Sequence, residues 1–137
     1  MIAQTTPYGI STTVPLAYDE ALARTRAALA KEGFGVLTEI DVRATMKAKL
    51  DVDFRPYIIL GACNPPLAHQ ALSAERDIGL LLACNVVVYA GDEPRTSVVA
   101  AMDPIAALAL TQNDAVRPIA EQVRARLERV LASVETA

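Results

Sequence analysis

Gly9 to Val14 alternates apolar and polar side chains in the manner of a strand, and Pro15 ends it because proline has no amide hydrogen for the ladder. From about Ala17 the period lengthens. Leu22, Thr25, Ala28 and Leu29 recur at helical spacing, and Gly33 supplies the left-handed residue that closes the helix. Val36 to Ile40 predicts a short strand, after which Asp41 offers its carboxylate to the first amides of a helix carrying Val42, Met46 and Leu50 on one face. Tyr57 to Cys63 predicts a central strand. Asn64 then caps a further helix, and Pro65 occupies its first turn without losing a needed donor.

Asp77 to Leu82 is too short and too apolar for its period to decide between helix and strand, and is read as a turn of helix. Asn85 to Ala90 is β-branched and strand-like, Gly91-Asp92-Glu93-Pro94 is a turn, and Thr96 to Met102 returns as the second arm of a hairpin. Asp103-Pro104 repeats the cap-then-proline device and opens a short helix to about Leu110. A last helix starts near Asn113 or Asp114, with Val116, Ile119, Val123, Leu127, Val130 and Val134 on one stripe and mostly charged residues elsewhere. Packing on the chain's own sheet is preferred for this stripe over a subunit contact, because most amphipathic helices cover their own sheet. Alternation of strand and helix gives way to a hairpin. The pattern therefore predicts a single α+β domain over residues 1–137, with a mostly antiparallel sheet of about five strands covered by helices.

A length of 137 residues with 53% hydrophobic and 21% charged positions suits one self-sufficient core. The net charge of −3 comes without a basic run, so the electrostatic footprint of a nucleic-acid binder is missing. No apolar stretch reaches the roughly 20 residues of a membrane span. Met1 to Gly9 does not read as a secretory leader, and the expected compartment is the cytoplasm. No glycine-rich phosphate loop follows a strand, no serine sits in a nucleophile elbow, and no cofactor is implied.

The tripeptide Ala-Cys-Asn occurs twice, at Ala62-Cys63-Asn64 and at Ala83-Cys84-Asn85. If the two strands run antiparallel, both copies fall at one edge of the sheet. By period two, Tyr57, Ile59, Gly61 and Cys63 share a face, as do Cys84, Val86 and Val88, while the relation between the two sets is open. Gly61 is expected to leave room beside Cys63. Two readings stand for the thiols: small buried hydrophobes, or a reactive or ligand-binding pair. A metal site is disfavoured, since only His69 could join two cysteines that are far apart in sequence. Asp51 and Asp53 are expected to cap and solvate a loop rather than to act as an acid/base pair.

The segments Gly33-Phe34-Gly35-Val36, Met46 to Leu50, Tyr57 to Pro65 and Leu81 to Tyr89, together with Met102-Asp103-Pro104, closely resemble the domain of unknown function 302 family. They span nearly the whole chain. The resemblance implies a compact α+β fold that tends to form homodimers, and no established activity. Family members often have proline before the second cysteine, where this chain has Ala83. The matching positions Lys49, Cys63, Asn64, Cys84 and Asn85 form the candidate site. The expectation is a non-enzymatic homodimer that binds a small ligand or a protein near Cys63 and Cys84. The alternative is a thiol-dependent redox enzyme or sensor that uses the same pair.

Overall fold

A computed structural model describes residues 1–136. The strands are β1 (Ala3–Thr6), β2 (Gly9–Val14), β3 (Gly35–Asp41), β4 (Tyr57–Cys63), β5 (Cys84–Ala90) and β6 (Ser97–Met102). The helices are α1 (Tyr18–Lys31), α2 (Val42–Leu50), α3 (Pro65–Ala74), α4 (Gly79–Leu82), α5 (Pro104–Leu108) and α6 (Arg117–Thr136). Short 3-10 turns precede α4 and α6 and follow α5. The strands form one sheet in the order β1-β2-β6-β5-β4-β3, and every neighbouring pair is antiparallel.

The sheet has six strands, one more than the pattern predicts. The additional strand is β1, whose exposed Ala3, Gln4 and Thr5 carry no apolar alternation. It is held by backbone pairing to β2. The helix boundaries follow the caps. The Asp41 side chain accepts from the Ala44 amide at 2.9 Å, Asn64 from Leu67 at 3.3 Å, and Asp103 from Ile105 at 2.9 Å. Gly33, at φ 82°, turns the chain out of α1.

One face of the sheet carries Ile10, Val14, Val86, Val88, Val99 and Leu60, each no more than 2% exposed. Helices α1 and α6 pack over it, with Leu29, Leu127, Leu131 and Val134 buried between. The stripe from Val116 to Val134 is therefore core, and the subunit-contact reading of those residues is overturned by their burial. Asp103, 5% exposed, receives an Arg124 hydrogen bond at 2.6 Å while its own amide donates to the Tyr8 carbonyl at 2.8 Å. That pair ties α6, α5 and the β1–β2 turn together. No helix among the described residues is long and apolar enough to cross a membrane.

Candidate functional site

The sheet register decides where the thiols stand. Ala62 lies opposite Cys84 and Gly61 opposite Asn85, so Cys84 points to the core face with Val86 and Val88, and Cys63 takes the opposite face. Both cysteines still line one small cavity at this end of the sheet, with Phe34, Leu67 and Met102 around it. Its volume is about 20 Å³. A space of that size holds about one water at most, so no organic ligand fits between the sulfurs. Burial, with a smaller contribution from Cys63, pushes the Cys84 thiol up to about 11. A protonated, buried thiol is a poor nucleophile.

Gly61 does not leave the expected opening. β3 carries a bulge between Val36 and Thr38, and this sets the Thr38 hydroxyl over Gly61, where a Cβ would collide with it. Asn64 is buried and serves as the α3 cap. Asn85 is exposed and faces the side of the sheet opposite Cys84. Lys49 lies exposed on α2, a helix entered from the end of β3 opposite Cys63, and it lines no cavity with either cysteine. His69 is an exposed α3 residue whose carbonyl accepts from Ser73. Asp51 adopts the left-handed conformation that ends α2, and Asp51 and Asp53 both face Lys47, at 2.9 and 3.6 Å. Among the described residues no group of three His, Cys, Asp or Glu is placed to hold a metal ion.

The larger concavity lies on the uncovered face, beginning at Asn85. It measures about 420 Å³ and is lined by Tyr8, Ser11, Val87, Ala100 and Met102, with Tyr57 and Tyr89 at one wall. The two tyrosines are cross-strand neighbours with rings stacked at 5.1 Å and 6°. From β2 to β3 no side chain that alternates onto this face is charged: Ser11, Ala100, Val87, Ile59 and Ile40 follow one another across the five strands. Ile59, Val87, Val98 and Ala100 keep part of their surface open, whereas the neighbouring core-face residues Leu60, Val86, Val88 and Val99 are 0% exposed. α1 and α6 pack on the other side, and α2, which meets the sheet at β3 and β4, buries none of its own residues. The sequence holds a signal for this that the periodic reading passes over: β4, β5 and β6 are apolar at both parities, the composition of strands covered on both sides.

A two-layer α+β domain with helices on one side of an antiparallel sheet and an uncharged, uncovered opposite side is thus the class that fold and site define. The model of the family described as domain of unknown function DUF302 matches residues 10–134, and the chain belongs to that family. A solved structure, that of an uncharacterized conserved DUF302 protein from Bacillus stearothermophilus, is similar at 29% identity and a TM-score of 0.82. The likeness covers 91% of this chain and 96% of that one. No curated protein matches the chain.

Proposed function

We propose that this chain is a non-enzymatic, cytoplasmic binding module that works as a homodimer, with the uncovered sheet face as the surface where two copies meet. The observation that supports this reading is the double-sided apolar character of β4, β5 and β6 above a single layer of helices. A contiguous exposed apolar patch is costly in water, and in a native chain it marks an interaction surface. The lack of charge also favours a second copy: two chains of net charge −3 repel one another least where neither presents a charge. The two free thiols fit a reducing compartment.

A small molecule or a protein segment recognised near the cysteine rim would enter beside Asn85 and Cys63, on the open face. The space between the thiols is too small for it. Redox chemistry gains nothing from the geometry, because the Cys84 thiol is held protonated.

Sedimentation velocity of the wild-type chain and of Val87→Asp tests the reading. Val87 lies at the middle of the open face, so a carboxylate there leaves the core untouched and places an unpaired charge in the interface. A dimer for the wild type and a folded monomer for the variant are expected. A wild-type chain that sediments as a monomer at every concentration contradicts the reading.

A further inference from the structure

α2 is a helix of nine residues with none of them buried. An isolated helix of that length is unstable in water, and in proteins the deficit is met by burying an apolar stripe. Here Val42 and Met46 are only half-buried, and the end of the stripe with its continuation stays open: Leu50 is 64% exposed, Val52 46% and Phe54 40%. Phe54 reaches the Tyr57 ring, with centroids 6.1 Å apart, so this apolar arm runs on from the wall of the open-face concavity.

We infer that the arm formed by α2 and residues 51–54 is an exchange element, which places Leu50, Val52 and Phe54 of each copy against the open-face concavity of the other. The inference rests on the homodimer proposed above and adds its geometry. A two-fold axis running along the strands between two facing sheets sets the β3–β4 edge of each copy over the β1–β2 edge of its partner. The arm leaves the β3–β4 edge, and the concavity lies between the β1–β2 hairpin and Tyr57 and Tyr89. Each pocket is then closed by the partner's side chains and is incomplete without them.

Area points the same way. Strands about 4.8 Å apart and residues rising about 3.4 Å give a five-strand face of five or six residues roughly 400–500 Å² in projection. A standard interface buries about 800 Å² of accessible surface on each partner, and the arm extends the contact beyond this modest face. The concavity, at about 420 Å³, has room for two large apolar side chains. Its lining is uncharged, as are Leu50, Val52 and Phe54, while the charges that alternate with them in the arm, Asp51 and Asp53, are already paired with Lys47.

The test is the dimer dissociation constant of the double variant Leu50→Ser, Phe54→Ser, measured by sedimentation beside the wild type and Val87→Asp. Both arm residues are exposed in the single chain, so circular dichroism should show an unchanged fold. We expect the dissociation constant to rise at least tenfold, and the α2 amides of the wild type to exchange hydrogen faster on dilution. A dimer unweakened by the double variant but broken by Val87→Asp overturns the arm exchange and leaves the face-to-face dimer standing. A monomeric wild type overturns both. A wild-type protein whose native mass carries a bound small molecule in the concavity, with the arm amides exchanging freely in the dimer, also overturns the exchange.

Discussion

Ala62 and Cys84 stand directly opposite one another in the β4–β5 register, and that pairing sends Cys63 to the other side of the sheet. The two thiols share an end of the fold and differ in exposure. Cys84 is 8% exposed and held protonated by burial, while Cys63 keeps part of its surface in solvent. In the native protein iodoacetamide should therefore modify Cys63 and leave Cys84 intact, and denaturant should make both react. Peptide mass spectrometry reads the result.

The same burial makes stability depend on alkaline pH. Cys84 titrates at about 11 in the fold against an ordinary value of 9.0, so the folded state retains the proton more tightly than the unfolded chain. The stabilisation from burying the neutral thiol is complete below about pH 9 and is lost as pH rises towards 11. Tyr18 and Tyr57, also raised mainly by burial, act in the same direction. Urea unfolding at intervals across this window should show Cys84→Ala losing less stability than the wild type, with the tyrosine contribution remaining.

Gly61→Ala tests the close approach of β3 to β4. A methyl group at Gly61 collides with the Thr38 hydroxyl oxygen, which the bulge in β3 brings over it. We expect a loss of about 1–3 kcal/mol, the usual range for overpacking. Thr38→Ala should restore most of it in the double variant, as measured by urea denaturation and a double-mutant cycle.

Arg124→Met leaves the Asp103 carboxylate, 5% exposed, without its cation. Removing one partner of a fully buried pair costs about 3–5 kcal/mol. Arg124 is itself 27% exposed, so solvent screening lowers the expected loss to about 1–2 kcal/mol. Asp103→Asn, which keeps an oxygen to cap α5, should cost less than Asp103→Ala. Thermal unfolding of the three variants orders them.

Leu127→Ala should behave as a core deletion. Leu127 is 0% exposed beneath the sheet, so a loss of about 2–5 kcal/mol is expected, with the unfolding midpoint shifted. The dissociation constant of the proposed dimer should stay unchanged, since this stripe faces inward.

What the chain reveals before folding is what its residues do to their own backbone. Asp41, Asn64 and Asp103 each bond an amide two or three residues on, and Gly33 adopts a conformation few other residues accept. Those signals are local, and the elements they bound are legible. Strand β1 is not, because its pairing uses backbone groups and its side chains stay wet. Nor is the side on which each cysteine lies, because the register of β4 against β5 is set only after the long excursion through α3 and α4. The bulge at Leu37, which sets Thr38 over Gly61, is not legible either: one extra residue in one strand has no sequence mark. The open face was written in the doubled apolar parity of three strands, and recognising it requires knowing that helices cover only one side.

The most direct measurement is carbene footprinting of the wild-type chain at high and low protein concentration, followed residue by residue by mass spectrometry. Ile59, Val87 and Met102 are predicted to be shielded when concentrated and labelled when diluted, while exposed Leu80 and Leu110 label equally in both. Equal labelling of Ile59, Val87 and Met102 at both concentrations, in protein that sediments as a single species, would contradict the uncovered face as the meeting surface.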